Sequence, residues 1–274
     1  MHLNPKLDVS SGCVLSPLLF ILYTDECRST YPNCHLVKFA DDTVLLSLLS
    51  GPSLHHGPAL QQFIEWCDSS CLELNVSKTK EMVVTFSSSQ RELAAAVTTM
   101  VHGFPVETVE EYKYLGTILD CQLRFSSNTE GILRKCHQRM YLLRKLNSFS
   151  VSQNILLTFY YTFIESVLAC SICCWYYSIT VQDRNRLHNI VKVCSKIIGL
   201  PARHLNTVYE QQASGLARRI LKDSTHALFP AFEQLPSGHR FRCLACKTQR
   251  RRATFVPSVI LLLNSKKSKT VTII

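Results

Sequence analysis

The stretch Cys34-His35-Leu36-Val37-Lys38-Phe39-Ala40-Asp41-Asp42-Thr43-Val44-Leu45-Leu46-Ser47 decides how the first half of the chain is interpreted. Two short apolar runs flank the adjacent carboxylates Asp41 and Asp42, and each run has the length of a strand. The pattern predicts a β-hairpin with the Asp pair at its tip. Carboxylates held this close repel each other unless a positive group lies between them, and a divalent metal ion is a common solution. An ordinary solvated turn is the alternative that this stretch alone leaves open.

Apolar patterns on both sides of this stretch predict mixed α and β structure up to about residue 122. The segment that follows Pro17 is almost wholly apolar as far as Tyr23, with Ser16 as a helix cap and Pro17 at the first helical position, so a buried helix is predicted. An amphipathic helix is predicted from Leu60 to Cys71. A polar turn with Lys78 comes next. A strand pattern follows at 81–86, a hairpin-turn pattern at 101–106 and another strand pattern at 111–119.

Charge divides the chain at the same place. Residues 1–122 carry 7 Lys and Arg against 14 Asp and Glu, whereas residues 123–274 carry 23 against 6, which gives net charges of −7 and +17. Helical spacing in the second part predicts helices at 128–146, 155–177, 184–198 and 206–226. The predicted fold class is therefore α+β, a mixed part followed by an all-helical basic part. An acidic site beside a basic track suggests metal and polyanion binding, and a solvated basic surface without a partner is the alternative.

The cysteines and the longest apolar run bear on the compartment. The 13 cysteines are odd in number and irregular in spacing, which favours an intracellular, reducing compartment, the cytoplasm or the nucleus. Cys243 and Cys246 form a Cys-x-x-Cys pair with His239 as the only near zinc ligand of plausible spacing, so free thiols are predicted. The run 155–177 has the length of a membrane span but contains Glu165, so a buried helix and no membrane partner are predicted.

Four motifs follow one another in a defined order. They are Gly12–Phe20, Phe39-Ala40-Asp41-Asp42, Leu74–Lys80 and Tyr114-Leu115-Gly116. In this order and spacing they resemble the second half of the reverse transcriptase domain of non-LTR (LINE-type) retrotransposons. The resemblance covers about residues 8–120 and continues more weakly to about residue 264.

This resemblance implies a right-hand polymerase. The implied parts are a partial palm of antiparallel sheet and packed helices at 1–122, an all-α, basic, thumb-like region at 123–200, and a basic helical and tail region at 201–274. It implies two-metal nucleotidyl transfer with Mg²⁺ as cofactor, and an RNA template and an RNA–DNA hybrid as partners. Asp41 and Asp42 would then be the catalytic metal ligands.

Further residues take their roles from the same resemblance. The nucleotide and template side would be lined by Gly12, Ser16, Pro17, Phe39 and Lys78, where Gly12 lets the backbone approach the substrate closely. The primer grip would be formed by Tyr114, Leu115 and Gly116. Contacts to the nucleic-acid backbone would come from Arg134, Lys135, Arg139, Arg144 and Lys145.

The sequence also departs from the family pattern. The family places another metal-binding Asp, and the fingers, well upstream of the segment that Gly12 begins, and only eleven residues precede Gly12 here. Asp8 lies within the same loop, too close to serve, and Ser10-Ser11 stand where Pro-Gln is usual. Because the geometry of a two-metal site tolerates little displacement, we expect little or no polymerase activity from this chain alone.

Other functions stay open at this stage. A basic nucleic-acid-binding protein without catalysis is one, and a translated fragment without a stable fold is another. Residues of about 111–149 resemble the N-terminal segment of the AlkB-homologue tRNA-modifying proteins, which would suggest a dioxygenase or a methyltransferase. The chain has no His-x-Asp pair for iron and no Gly-x-Gly cluster for a cofactor, so this alternative is disfavoured.

Overall fold

The computed structural model describes residues 3–5, 15–49, 56–86 and 98–269. The chain forms two compact units, Met1–Tyr112 and Lys113–Ile274. Small sheets and helices occur together in the first unit, and long helices dominate the second, which agrees with the predicted α+β class. Gly12 lies outside the described residues.

The strands among the described residues pair two by two. They are β1 (Leu3–Pro5), β2 (Cys34–Phe39), β3 (Asp42–Ser47), β4 (Leu72–Leu74), β5 (Lys80–Glu81), β6 (Met100–Val101), β7 (Phe104–Pro105), β8 (Glu107–Thr108), β9 (Glu111–Tyr114) and β10 (Thr117–Asp120). The antiparallel pairs include β1–β4, β2–β3 and β6–β7; β5 and β8 are parallel, and β9 pairs with β10. The hairpin predicted at 101–106 is confirmed, whereas the single strand predicted at 111–119 is instead two strands, β9 and β10, joined by a turn at Leu115 and Gly116. The strand predicted at 81–86 is wrong in extent, because only Glu81 of it joins a ladder.

The helices carry most of the second unit. They are α1 (Ser16–Thr24), α2 (Gly57–Ser69), α3 (Ser126–Ser148), α4 (Gln153–Phe159), a π-helical segment (Tyr160–Glu165), α5 (Ser166–Ala169), α6 (Ile172–Trp175), α7 (Val181–Ile198), α8 (Leu205–Lys222), a 3₁₀ turn (Phe229–Ala231), α9 (Gln249–Arg252) and α10 (Phe255–Lys269). The helices predicted from spacing at 60–71, 128–146, 184–198 and 206–226 are present with shifted ends. The continuous helix predicted at 155–177 is instead a run of α, π and α segments.

Apolar side chains of α2 form the centre of the first unit. Leu60, Phe63, Ile64 and Cys67 are buried there, together with residues of β4. Leu36 and Leu45 lie opposite each other in the β2–β3 pair and pack against this cluster. Since side chains alternate along a strand, the hairpin has one face on the core and the other towards solvent.

Helix α1 does not have the burial that its composition predicts. Its apolar side chains are about half exposed or more, for example Leu19 at 57% and Leu22 at 63%, whereas Phe20 packs against the core. The prediction of a buried helix is therefore wrong, because no described element covers its outer side. Ser16 is also the first helical residue rather than the cap, and Leu15 holds the N-cap position.

The second unit has one continuous core. It joins all helices from α3 to α8, the π-helical segment and α10, and it includes Leu143, Tyr160, Trp175 and Ile260. Residues 123–200 and 201–274 thus share a single hydrophobic cluster among the described residues. The division of function between those two regions stays a prediction.

Gln153–Trp175 is long and apolar enough, by length and composition alone, to cross a membrane. In this structure one side of the run faces the core, with Leu156, Ile164 and Leu168 almost completely buried. The buried Glu165 is paired with Arg203. A π segment interrupts the run, and the other side of the run is exposed, with Ile155 at 54% and Phe163 at 50%.

Candidate metal hairpin and basic helical surface

The Asp pair lies where β2 turns into β3. The strands pair in register from Cys34 opposite Ser47 to Phe39 opposite Asp42, which leaves a two-residue turn of Ala40 and Asp41. The predicted hairpin is confirmed, although only Asp41 lies in the turn itself. Asp42 is the first residue of β3.

The turn is tight for its sequence. The φ of Ala40 is 51°, in the left-handed region, whereas the φ of Asp41 is not positive. Positive φ at the first of two turn residues is the pattern of a type II′ hairpin turn, where glycine is usual. An alanine there stores backbone strain, which proteins concentrate at functional sites.

The two carboxylates differ in exposure. Asp41 is exposed at the turn, and Asp42 is half-buried on the same face of the hairpin as Val44 and Leu46. Thr43, on the opposite face, is buried. The neighbouring Phe39 is 60% exposed, so an apolar ring borders the acidic tip.

Lys38 fixes the hairpin to helix α1. It lies on the core face of β2, opposite Thr43. Its Nζ donates hydrogen bonds to the carbonyl oxygens of Thr24 and Cys27, the second at 3.2 Å. An ammonium group at the C-terminal end of a helix satisfies free carbonyls and complements the helix dipole. The position of the Asp turn is therefore set by α1 as well as by the ladder.

The described residues contain no group of three or more His, Cys, Asp and Glu side chains that could hold a metal ion. Asp41 and Asp42 provide two adjacent carboxylates with oxygen ligands. Mg²⁺ is usually held by one or two carboxylates together with substrate phosphates and water. The tip therefore fits a Mg²⁺ ion that is shared with a bound triphosphate better than it fits an all-protein metal site.

The described residues predicted for the nucleotide side, which exclude Gly12, lie on three separate elements of the first unit. Ser16 and Pro17 form the first turn of α1, about 12 Å along the axis from the end that Lys38 contacts. Phe39 lies at the hairpin, and Lys78 is exposed in the turn between β4 and β5.

Asn75 organises the Lys78 turn. Its side-chain oxygen accepts hydrogen bonds from the Lys78 backbone N–H at 3.1 Å and the Ser77 hydroxyl at 2.7 Å. Its carbonyl oxygen accepts the backbone N–H and the hydroxyl of Thr79. This is an Asx-type turn, which holds the backbone on its own side chain and leaves the lysine free to point outward.

A second polar cluster holds the strand that follows Lys78. One carboxylate oxygen of Glu81 accepts the Thr99 hydroxyl at 2.9 Å and lies 3.4 Å from His56 Nε2. Lys80 pairs with Glu107 at 2.5 Å. The turn that carries Lys78 is thus anchored at both ends.

Of the predicted primer-grip residues, Leu115 and Gly116 form the turn between β9 and β10, and Tyr114 is the last residue of β9. Leu115 has a φ of 45° and Gly116 a φ of 86°. Positive φ at both turn residues is the requirement of a type I′ hairpin turn, which matches the twist of the strands. Leu115 is 45% exposed, so the strained turn presents an apolar side chain to solvent.

The five predicted backbone-contacting residues lie along α3. Arg134, Lys135, Arg144 and Lys145 are exposed, and Arg139 is half-buried. The Arg139 guanidinium donates to the carbonyl oxygen of Phe163 in the π-helical segment. Four of the five are therefore available on the surface, and Arg139 also connects two elements.

Sequence reasoning missed the residues that hold these features in place. Asn75 three residues before Lys78 is a recognisable Asx-turn signal. Lys38, by contrast, sits inside an apolar run and acts on α1, so its role needed the tertiary structure. Tyr141, exposed on the basic face of α3, follows Arg134 at helical spacing and could have been noticed.

Comparison with known proteins shows which families parts of this chain resemble. Residues 3–119 match the family described as "Reverse transcriptase (RNA-dependent DNA polymerase)". The match includes the Asp hairpin and the Lys78 and Leu115 turns, so the resemblance drawn from the four motifs is confirmed. Residues 125–166, which are α3, α4 and the π-helical segment, match "Alkylated DNA repair protein alkB homolog 8, N-terminal", a later range than the 111–149 predicted.

Two curated relatives come from Drosophila melanogaster. One is the "Probable RNA-directed DNA polymerase from transposon BS", 30% identical over 152 residues, which are 52% of this chain and 16% of the relative. The other is the "Probable RNA-directed DNA polymerase from transposon X-element", 27% identical over 164 residues, 56% of this chain and 17% of the relative. The matched part thus spans about a sixth of the length of these relatives. No solved structure shows a significant match to the chain.

Proposed function

We propose that this chain carries part of an RNA-directed DNA polymerase, with the Asp41–Asp42 hairpin as the acidic part of its nucleotidyl-transfer site. The observation that carries the proposal is a strained two-residue hairpin turn with two adjacent carboxylates, inside a segment that matches the reverse transcriptase family. In this proposal residues 1–122 act as palm, 123–200 as thumb and 201–274 as a basic extension.

Asp41 and Asp42 would hold Mg²⁺, which supplies activation of a primer 3′-hydroxyl and stabilisation of the leaving pyrophosphate. Asp41 faces solvent at the turn and is the direct ligand, and Asp42 is its half-buried companion. Lys38 keeps the turn in place through α1. Ser16, Pro17 and Phe39 face the template and nucleotide, together with Gly12.

Lys78 would neutralise the triphosphate of the incoming nucleotide. Lys78 is exposed, and the hydrogen bonds of Asn75 and Glu81 already fix the backbone of its turn. Binding therefore needs to order little more than the Lys78 side chain. Tyr114, Leu115 and Gly116 would contact the primer end. The template would be RNA and the product an RNA–DNA hybrid.

Activity of this chain alone should be low. Two carboxylates from one hairpin do not fix two metal ions, and the described residues bring no third acidic side chain to them. Primer extension on poly(rA)/oligo(dT) with Mg²⁺ tests both parts of the proposal. The expected result is a trace of extension that disappears in Asp41→Ala and persists in Glu65→Ala, a matched exposed carboxylate on α2.

Robust extension that depends on Asp41 would contradict the low activity and support the polymerase assignment. Extension that Asp41→Ala leaves unchanged would contradict the assignment of the hairpin. Binding of Mg²⁺ can be measured separately from catalysis, by the tyrosine and tryptophan fluorescence of the chain in the presence of a nucleoside triphosphate.

A second candidate function is nucleic-acid binding without catalysis. The observation that favours it is the exposed basic side of α3 within a region of net charge +17. Binding that weakens steeply with salt, unchanged by Asp41→Ala, in a chain that extends no primer would select this function. The proposed compartment is intracellular and reducing, which the odd number and irregular spacing of the 13 cysteines favour.

A further inference from the structure

The outward side of α3 combines positive charge with an exposed aromatic ring. Arg134, Gln138, Tyr141 and Lys145 follow one another at spacings of three or four residues, which places them in one row on the helix surface. All four are exposed, and the Tyr141 side chain is 61% exposed. Its neighbour Leu142 is 49% exposed and widens the apolar part of the row.

The charge of this surface is not cancelled along the helix. No Asp or Glu occurs between Gly131 and Ser148. Glu130, at the beginning of the row, is engaged by Arg186 of α7, with Nη2 and Oε2 3.1 Å apart. This bond with the Arg186 guanidinium holds the pKa of Glu130 below its usual value, so the carboxylate stays charged and stays paired.

Tyr141 has no structural role that would account for it. Among the described residues, no other ring stacks on the Tyr141 ring and no cationic side chain lies over it. Its hydroxyl makes no hydrogen bond within this part of the chain. The core side of α3 is formed by other positions, such as Met140 and Leu143. Single exposed aromatic residues are common, and what distinguishes Tyr141 is its place between cations in the same row.

We propose that Tyr141 is a stacking platform for an unpaired base of a single-stranded nucleic acid, with Arg134 and Lys145 holding the phosphates on either side. The proposal rests on the nucleic-acid contact of α3 proposed above and adds which form of the ligand this row takes. Proteins that bind single strands combine a cationic track with aromatic rings on which bases stack.

The form of the strand follows from the chemistry of the ring. In a hybrid duplex each base is covered by its neighbours in the stack, so its face is closed to a side chain lying along the outside. Phosphates are reachable in both forms. The cations of the row should therefore bind single strand and hybrid alike, whereas the ring should add affinity for the single strand alone.

The test uses the full chain and a labelled RNA of about 12 nucleotides, either single or annealed to its DNA complement, with fluorescence anisotropy at about 0.1 M salt. Tyr141→Ala should weaken single-strand binding about tenfold and hybrid binding by less than about twofold. Tyr141→Phe should bind both as the unmodified chain does. Arg134→Ala, the matched control, should weaken both ligands equally and flatten the slope of log K against log salt by about one.

Each result decides between the two proposals. Equal single-strand binding by Tyr141→Ala and the unmodified chain, or equal loss on both ligands, overturns the stacking platform and leaves the nucleic-acid contact standing. Absence of salt-sensitive binding to either ligand by the unmodified chain overturns both. Since Tyr141 is exposed, its variants should unfold at the same urea concentration as the unmodified chain, which separates a lost contact from a lost fold.

Discussion

At the scale of single residues, positions with strained or unusual roles mark the candidate site. Lys38 is a charged residue on the core face of a strand, a position where an apolar residue is normal. It is compatible with the fold because its ammonium group reaches two carbonyl oxygens at the end of α1. The same residue that stabilises the unit also sets where the Asp turn lies.

Lys38→Met should therefore destabilise the first unit although the side-chain volume is kept. Two carbonyl oxygens lose a charged donor, which costs about 1–3 kcal/mol. Urea unfolding of the full chain, followed at Trp66 of α2, measures the change. Lys78→Met, an exposed lysine of the same unit, serves as the control and should stay within about 0.5 kcal/mol of the unmodified chain. Equal stability of the two variants would contradict the role given to Lys38.

Leu115, unlike Lys38, is expected to cost stability, because its φ of 45° is a conformation that leucine rarely adopts. Leu115→Asn should stabilise the β9–β10 hairpin by roughly 0.5–1 kcal/mol, since Asn followed by Gly116 is favoured in a type I′ turn. Gly116→Ala should destabilise it, because its φ of 86° strains any side chain even though the space around the Cα is open. Thermal unfolding of both variants checks the signs. If Leu115→Asn also weakens hybrid binding, leucine is kept there for contact rather than for stability.

At the scale of elements, sequence and structure agree where the decisive interactions are local. The hairpin of β2 and β3, the Lys78 turn and the helices of the second unit follow from alternation, turn residues and 3.6-residue spacing. They disagree where tertiary contacts decide. The apolar α1 is exposed because no described element covers its outer side, and the run after Gln153 departs from a plain α-helix at Tyr160. The pairing of Glu165 with Arg203 joins residues 38 positions apart, and spacing does not reveal it.

The surroundings of His188 in α7 predict that the second unit loses stability in acid. His188 of α7 lies 2.7 Å from the Tyr176 hydroxyl, and its ring centroid is 4.4 Å from that of His204. Burial, followed by the charges of His204 and Arg184, lowers the pKa of His188 from its ordinary value of 6.5. The folded state therefore binds a proton at His188 less tightly than the unfolded chain does. The neutral His188 contributes fully to the free energy of unfolding above pH 6.5, and this contribution is lost as the pH falls through the lowered pKa.

The free energy of unfolding of the second unit should therefore decrease as the pH falls below about 6.5, and His188→Asn should reduce that slope. Urea unfolding followed at Trp175, measured at several pH values down to about 5, provides the test. The lowered pKa values of Glu130 and Asp223 act in a separate, more acidic window below their ordinary values of 4.5 and 3.8. An unchanged slope in His188→Asn would assign the acid sensitivity to another group.

At the scale of the whole molecule, the two units differ in charge and in the size of their cores. Among the described residues the cluster of the first unit has nine buried side chains and that of the second has twenty-nine. Several apolar side chains of the first unit are also exposed, on α1 and on the outer face of the β2–β3 hairpin. Stability grows with buried apolar surface, so the first unit should be the weaker of the two.

The two tryptophans make this difference measurable, because Trp66 lies in the first unit and Trp175 in the second. Trp66 packs against the Phe63 ring, with centroids 6.4 Å apart, and Trp175 is fully buried in the larger core. In a urea titration of the full chain, the fluorescence change of Trp66 should come at a lower urea concentration than that of Trp175. The variant Trp66→Phe, which leaves the larger core untouched, isolates the signal of Trp175, and the difference from the unmodified chain gives Trp66. One coincident transition at both positions would contradict independent stability of the units. A gradual change without any cooperative transition would instead support a chain without a stable fold, and with it the loss of a positioned Asp41–Asp42 turn.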